Sequence, residues 1–347
     1  MEKASHYDIA SWWTHITDED CALIVRTNNG FLFYCHLDPK RFCQSPEVTE
    51  QYFKCLDMLR SGQEEKDDFY LEDACDWLLQ PFEPLINQLA PATISLPVLT
   101  ASGRPTLSQY LFPRPVFFIL DAKDNQLQPI QVEDSREYAW RDSRLKLDDK
   151  FAKDLDQWTK TFHPSSIEVC YDDPRYVLIK PPTKVIVLEP GGQPVTCFFK
   201  PFSPSSRNAH TDIELDTHKK IVKARISPPH VQICRIYGLV GDESGLLGML
   251  FPWIDKREVM SKWLVEESPS DLRRRWASQI EASVKKLHQE GIIWGDVKGD
   301  NVLIDKNDDA WVIDFGGSYT PGWVDPDKAG TLEGDEQGLR KIMDMLL

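Results

Sequence analysis

The sequence predicts an α+β protein in two parts, with an α/β N-terminal domain over residues 1–163 and a second domain over residues 164–347. The chain has 347 residues, of which 41% are hydrophobic and 27% charged, enough to bury the cores of two domains. Short apolar runs next to turn signals alternate with longer segments that carry apolar residues at three- and four-residue spacing, so strands and helices are mixed. We place the boundary at His163-Pro164, where a helix predicted over 146–162 ends.

The elements of the N-terminal domain follow from local signals. Asn28-Asn29-Gly30 lies between two apolar runs, and this is a strong hairpin signal. The other elements predicted are a helix over 47–59, a helical stretch over 71–89 that Pro81 and Pro84 bend or split, and a hairpin of strands 116–120 and 127–132.

The second domain begins with β-runs and ends with helices. A helix is expected to open at Ser268-Pro269-Ser270 and to stop at Gly291, because glycine commonly ends helices. The remaining predicted elements are strands over 167–171, 184–188 and 194–200, a helix over 209–224, strands over 235–240 and 245–251, a hairpin over 302–313, and a helix over 333–347.

The most specific motif lies between residues 294 and 316. Asp296 is followed by Lys298 and Asn301, and the predicted hairpin then leads to Asp314 in Asp-Phe-Gly. Because a hairpin brings its two ends together, Asn301 and Asp314 are expected to face one metal site. Phosphoryl transfer needs a carboxylate for the attacking hydroxyl, a cation near the phosphate and oxygen ligands for Mg²⁺, and these residues supply those types. A surface hairpin with turn-capping Asp and Asn residues is the alternative, but it leaves Lys298 and the Asp-Phe-Gly unexplained.

Residues 291–316 resemble the catalytic loop and Asp-Phe-Gly segment of the protein-kinase-like superfamily. The resemblance implies a two-lobe fold with a small β lobe and, since about thirty residues follow Gly316, a shortened helical lobe. The amino-acid sequence of this stretch is also similar to that of a group of uncharacterised fungal kinase-like proteins. Trp294-Gly295-Asp296 stands where protein kinases carry His-Arg-Asp, so control through activation-loop phosphorylation is not expected.

The resemblance assigns roles to the motif and implies ATP and Mg²⁺ as cofactors. Asp296 and Lys298 are the expected catalytic residues, the first orienting and deprotonating the nucleophile and the second offsetting developing charge. Asn301 and Asp314 are the expected metal ligands. Asp335, near the start of the last helix, either accepts hydrogen bonds from the catalytic loop or is simply an acid favoured by the helix dipole.

The resemblance also implies a lysine that holds nucleotide phosphates and a glutamate that positions it. Lys200, at the end of a β-run, and Glu214, on the next helix, are the candidates, although a surface charge pair is the alternative and Asp212 and Asp216 lie within one turn of Glu214. Phe251 and Trp253 are expected to contact the cofactor where the chain passes between lobes. Pro252 between them lacks an N–H, so adenine recognition is expected to be unusual.

The sequence departs from the family in having no Gly-x-Gly-x-x-Gly loop before Lys200. Strands 167–171 and 184–188 are joined without glycine, so either side chains such as Arg175 and Lys180 cover the phosphates or the nucleotide binds poorly. This departure keeps a pseudokinase open as an alternative.

We therefore predict an atypical kinase that transfers the γ-phosphoryl group of Mg-ATP to a hydroxyl, with a small metabolite as acceptor because no Ala-Pro-Glu motif or full helical lobe follows. The alternatives are a pseudokinase that senses nucleotide or scaffolds a protein partner, and an enzyme that transfers the adenylyl group. The N-terminal domain is expected to be a packed extension, with a substrate-recruiting domain or a lid as the other options.

Composition limits the other classes of function. The formal net charge of −15 disfavours general nucleic-acid or anionic-membrane binding, because phosphates are repelled. The eight cysteines show no Cys-x-x-Cys or zinc-like spacing, the N-terminus has no apolar signal core, and no window is long and apolar enough to span a membrane. A reduced, cytoplasmic protein is the expectation.

Overall fold

The computed structural model describes residues 6–15, 17–92, 100, 102–133, 144–146, 153–189, 191–202, 210–226, 231–317 and 320–347. They form two compact units, one of residues 1–141 and 165–182 and the other of residues 142–164 and 183–347. This grouping by contacts differs from a single cut at 163/164, and the domain assignment itself stays a prediction. None of the eight cysteines, all of which lie among the described residues, forms a disulfide. Among the described residues, each helix is too short or too polar to cross a lipid bilayer.

The first unit is built on a five-stranded sheet in the order β1-β2-β3-β6-β7, in which only the β3–β6 pair is parallel. The helices α1 to α3 cover one face, and their apolar side chains share a core with β2, β3 and β6. The unit also holds a short ribbon of β4 and β5, the helix α4 and the strand β9. The bounds are β1 Tyr7–Thr14, β2 Cys21–Thr27, β3 Phe31–Leu37, α1 Pro46–Ser61, β4 Glu65–Lys66, β5 Phe69–Tyr70, α2 Leu71–Leu79, α3 Glu83–Leu89, α4 Leu107–Leu111, β6 Arg114–Lys123, β7 Gln126–Val132 and β9 Ile167–Cys170.

Most local predictions for the first unit are confirmed. The Asn28-Asn29-Gly30 turn joins β2 to β3, and Asp124 and Asn125, both with positive φ, join β6 to β7. A 3₁₀ turn over Gln80–Phe82 splits the helical stretch between α2 and α3, as the two prolines predicted.

The second unit contains two sheets and the long helices. The larger sheet has the order β8-β12-β13-β11-β10, and the smaller one has the order β14-β15-β16. The helices α7 and α8 pack with β15 and β16 around one apolar core. The bounds are β8 Thr161–Phe162, β10 Lys184–Val187, β11 Val195–Pro201, α5 His210–Lys223, β12 Gly238–Asp242, β13 Gly245–Pro252, β14 Lys256–Val259, α6 Lys262–Glu267, α7 Ser270–Gln289, β15 Val302–Asp305, β16 Ala310–Val312 and α8 Leu332–Leu346.

The predicted helix over 146–162 is wrong at its C-terminal end. Residues 147–152 of this predicted helix lie outside the described residues. So does Ala209, the first residue of the helix predicted over 209–224. Residues 153–155 are helical, but Thr161 and Phe162 form a strand parallel to β12, and the Leu239 N–H donates to the carbonyl of Lys160 at 2.8 Å. Pairing with an existing sheet edge overrides the local helical pattern here.

Candidate active site

The loop after α7 is shaped by two glycines and a buried carboxylate. Gly291 ends α7 with a φ of +68°, and Gly295 has a φ of +92° in a place where a Cβ atom would lie 2.9 Å from the Cα of Gly317. Asp335 of α8, which is 2% exposed, accepts hydrogen bonds from the N–H groups of Trp294 at 2.7 Å and Gly295 at 2.8 Å. Of the two interpretations of Asp335, the structure therefore has the one in which it holds the loop.

Asp296 lies at the centre of a hydrogen-bonded cluster and is 4% exposed. Its Oδ2 lies 2.8 Å from Lys298 Nζ and accepts a 2.9 Å hydrogen bond from Asn301 Nδ2, which also donates to the Asp296 carbonyl. Thr320 Oγ1 donates to Asp296 Oδ1 at 3.0 Å and accepts from Lys298 Nζ at 2.9 Å. The cluster fixes the orientation of the Asp296 carboxylate before any substrate binds.

The hairpin of β15 and β16 brings the backbone of Asn301 next to Ile313, the residue before Asp314. The Ile313 N–H donates to the carbonyl of Asn301 at 3.1 Å, and Val302 pairs with Val312. The metal site that Asn301 and Asp314 would share stays a prediction. Asp314 has a φ of +59°, which is uncommon for a residue other than glycine and occurs often at functional sites. With Asn301 Nδ2 bound to Asp296, its Oδ1 atom is left to ligate a cation.

Lys200, at the end of strand β11, contacts Glu214, the partner that the sequence suggested, and also Asp314, which the sequence analysis named only as a metal ligand. Its Nζ lies 2.7 Å from Glu214 Oε1 and 2.8 Å from Asp314 Oδ1. Burial works to lower the pKa of Lys200, but the charges of Glu214 and Asp314 outweigh it and raise that pKa. Burial raises the pKa of Glu214 despite the opposing effect of Lys200. The lysine is thus held as a cation between two carboxylates.

His218, one turn after Glu214 on α5, was not singled out from the sequence, although its spacing could have suggested it. Its ring is 1% exposed and packs against Phe251 and Phe315, with ring centroids at 5.1 and 5.4 Å. Neither ring nitrogen has a hydrogen-bond partner within the described part of the chain. Burial, followed by the charge of Lys200, lowers its pKa to about 3. His218 is therefore neutral, and its 3.9 Å contact with Glu214 Oε1 is not an ion pair.

A cavity of about 400 Å³ opens beside Lys200. Its lining combines the ion cluster with apolar and aromatic side chains, as ligand pockets commonly do. The lining residues are Thr183, Phe198, Lys200, Glu214, His218, Cys234, Phe251, Pro252, Trp253, Ile254, Lys256, Leu303, Ile313 and Asp314. Both predicted cofactor-contacting aromatics, Phe251 and Trp253, are among them.

The backbone after β13 differs in detail from the expectation. The Trp253 N–H donates to the carbonyl of Thr196 at 3.0 Å, so it is already used, and Pro252 has no N–H. The carbonyl of Ile254 accepts from Lys256 N at 2.8 Å, while its own N–H has no acceptor within the described ranges. Ile254 is therefore one residue of this segment whose N–H is left for a ligand.

Arg175 and Lys180, the side chains suggested to cover phosphates, have local partners in the first unit. Arg175 donates to both carboxylate oxygens of Asp173, at distances down to 2.5 Å. Lys180 Nζ lies 3.7 Å from the centroid of the Tyr176 ring.

The donor set of the site suits a hard divalent cation. The Asp314 carboxylate and the Asn301 amide oxygen are the oxygen ligands that Mg²⁺ prefers, and Lys200 contacts only one of the two Asp314 oxygens. These two side chains would hold the ion, which would neutralise charge on phosphate oxygens.

Residues 202–321 match the family model of the protein kinase domain. The chain is similar to serine/threonine-protein kinase kin-29 of Caenorhabditis elegans, with 31% identity over 106 residues, covering 30% of this chain and 12% of that protein. It is also similar to CBL-interacting protein kinase 12 of Oryza sativa subsp. japonica, with 26% identity over 98 residues, 28% of this chain and 18% of that protein. The kin-29 kinase of Caenorhabditis briggsae shows 32% identity over 108 residues, 30% of this chain and 12% of that protein.

These matches support a protein-kinase-like superfamily for residues 202–321. The matched segments cover only 12% to 18% of the length of these relatives. The family match includes Glu214, Asp296, Lys298, Asn301 and Asp314, but it begins after Lys200. The relatives come from nematodes and rice, so the resemblance to fungal proteins remains an expectation from the sequence.

Proposed function

We propose that this protein binds Mg-ATP in the cavity beside Lys200 and transfers the γ-phosphoryl group to a hydroxyl of a small metabolite. The observation that carries the proposal is the Lys200 contact with both Glu214 and Asp314 at a cavity that apolar and aromatic side chains also line. A cation, a metal-binding carboxylate and a pocket for a planar ring are the three parts that hold a nucleotide triphosphate for transfer.

In this mechanism Asp296 orients the acceptor hydroxyl and takes its proton. The hydrogen bonds from Asn301 and Thr320 and the contact with Lys298 leave the carboxylate little freedom, so its orientation costs no reorganisation during the reaction. Lys298 offsets the charge that develops on the transferring group, and Lys200 positions the phosphates. The bond from the β–γ bridging oxygen to the γ-phosphorus breaks, the bond to the acceptor oxygen forms, and ADP leaves.

The short segment between Asp-Phe-Gly and α8 supports a small acceptor. Residues 317–331 connect the Asp-Phe-Gly motif to α8 and contain no Ala-Pro-Glu sequence. Thr320 of this segment donates a hydrogen bond to Asp296. In protein kinases the acceptor peptide and the activation-loop phosphosite depend on the chain between these points. A compact connection next to Asp296 favours an acceptor that needs no extended docking surface.

The test is calorimetric titration of Mg-ATP into the wild-type protein, Asp314→Asn and the control Asp300→Asn, with released ADP and pyrophosphate assayed in the same samples. Asp300 is exposed and neighbours the loop, so its variant reports unspecific effects of losing a carboxylate. An effect of magnesium on ATP affinity that only Asp314→Asn loses, with ADP as product, supports the proposal and justifies a screen of hydroxylated metabolites. A stable phosphoprotein product would contradict the small acceptor, and pyrophosphate release would indicate adenylyl transfer.

A nucleotide-binding protein without transfer is the second candidate, because Lys200 already occupies one oxygen of Asp314 and the segment before β10 has no glycine-rich loop. Binding of Mg-ATP without any ADP release, in the presence of the full metabolite screen, would favour it.

A further inference from the structure

We propose that Phe198 is the main contact for the base of the bound nucleotide, so that the site takes most of its affinity from a stacked planar ring and little from the phosphates. The inference rests on the proposed function, since it takes the cavity to be a nucleotide site.

The position of Phe198 follows from the alternation of side chains along β11. Cys197 and Phe199 point to the core of the sheet and are 0% and 2% exposed. Phe198 and Lys200 point the other way and both line the cavity. Phe198 is 38% exposed although its strand is flanked by β10 and β13, so the ring is bare because it faces this cavity.

The size of this side chain distinguishes the chain from the kinase pattern. The strand that carries the lysine reads Val-Ala-Ile-Lys in protein kinases, with a small residue two positions before the lysine. Here the same stretch is Cys197-Phe198-Phe199-Lys200. Leu303 of β15 and Ile313, the residue after β16, line the same cavity. A planar base entering the cavity therefore finds an aromatic face on one strand and aliphatic surface on another element.

The contacts available to the phosphates are fewer. Lys200 Nζ is shared between two carboxylates, and no glycine occurs between residues 171 and 183 to let the backbone approach an anion. For the base edge, Ile254 offers one N–H. Base stacking on an aromatic side chain is worth roughly 1–3 kcal/mol and does not depend on the identity of the base. Stacking on Phe198 is thus the largest single contribution that the cavity offers.

The experiment compares adenosine, ADP and Mg-ATP binding to the wild-type protein, Phe198→Ala, Phe198→Tyr and the control Trp263→Ala by calorimetry. Trp263 is 66% exposed, belongs to the same unit and is not among the residues that line the cavity. We expect adenosine to bind within about tenfold of Mg-ATP, and Phe198→Ala to weaken all three ligands by a similar factor of about 5 to 150. Phe198→Tyr and Trp263→Ala should bind as the wild type does.

The opposite results separate this inference from the proposed function. Equal or tighter binding by Phe198→Ala would overturn the inference, because the ring would then obstruct the cavity. Adenosine binding more than a hundredfold weaker than that of Mg-ATP would also overturn it while leaving the proposed function intact. Absence of binding of every nucleotide to the wild type would overturn both. Thermal unfolding of each variant verifies that a change in affinity is not a loss of fold.

Discussion

The two ionic clusters of the second unit are held in different ways. Asp296 and Asp335 are 4% and 2% exposed. The loop that carries Asp296 is held by backbone N–H groups that donate to Asp335, and also by side-chain hydrogen bonds. In the other cluster, the side chains of Lys200 and Asp314 are 33% and 39% exposed, and side-chain contacts alone join them. Under the proposed function, the loop cluster is already in place for the transfer step, whereas the Lys200 cluster must rearrange to share Lys200 with phosphates and Asp314 with a cation.

This difference assigns separate effects to the two clusters. Changes in the loop cluster should lower turnover or stability without a large change in nucleotide affinity, because its groups already have their partners. Changes in the Lys200 cluster and in the cavity should alter binding first. Each of the following predictions tests one side of this division.

The largest effect is expected for Asp296→Asn. The amide cannot accept the proton of the acceptor hydroxyl, and general-base catalysis contributes typically about 10²- to 10⁴-fold to rate. We expect ADP release to fall by that factor while the affinity for Mg-ATP in calorimetry changes less than about threefold. Asp300→Asn is the control. A variant that lost binding as much as turnover would show that the two clusters are not separable.

Asp335→Ala should cause the next largest effect, on stability. Two buried N–H donors, those of Trp294 and Gly295, would lose their acceptor, and each unsatisfied buried group costs about 1–3 kcal/mol. We expect the free energy of unfolding, measured with urea, to fall by about 3 kcal/mol. Glu336→Ala changes an exposed carboxylate at the next position of the same helix and should stay within about 0.5 kcal/mol of the wild type. Equal effects of both variants would contradict the role of Asp335 in holding the loop.

Thr320→Val should reduce turnover by about tenfold or more, since a hydrogen bond to a charged group is worth roughly 1.5–3 kcal/mol. Its hydroxyl bonds both Asp296 and Lys298, and valine keeps the shape but not the bonds. Thr320→Ser keeps the hydroxyl and should retain most of the activity. If the serine variant were as slow as the valine variant, packing of the methyl group and not the hydroxyl would be what matters.

The parts of the fold that the sequence predicted correctly depend on residues close together in the chain. The Asn28-Asn29-Gly30 turn and the 302–313 hairpin are local structures, so their turn residues and apolar runs suffice. The backbone contact of Asn301 with Ile313, the residue before Asp314, follows from that hairpin alone. The pairing of Lys200 with Glu214 was open to Asp212 and Asp216, and only tertiary packing decided among them.

The features that sequence reasoning missed depend on contacts distant in the chain. Thr320 reaches Asp296 across 24 positions, and nothing in the sequence around it marks the contact. The Trp253 N–H is unavailable to a ligand because it donates to Thr196 on another strand. Phe198 had a usable signal, since alternation along a strand puts it on the same face as Lys200.

His218→Leu should have the smallest effect near neutral pH, and its effect becomes visible only in acid. Burial lowers the pKa of His218 to about 3, whereas an unperturbed histidine titrates near 6.5. The stability that this group contributes is therefore complete above about pH 6.5 and is lost as the pH falls toward 3, because the unfolded chain takes up the proton first.

Between about pH 6 and 4, the free energy of unfolding of the wild type should fall faster than that of the leucine variant, by about 1.4 kcal/mol per pH unit. Urea unfolding at each pH measures the difference, and pH 8, where the histidine is neutral in both states, is the reference. Parallel curves for the two proteins would mean that His218 is not buried as a neutral ring beside Phe315, and the apolar contact between α5 and the Asp-Phe-Gly segment would then need revision.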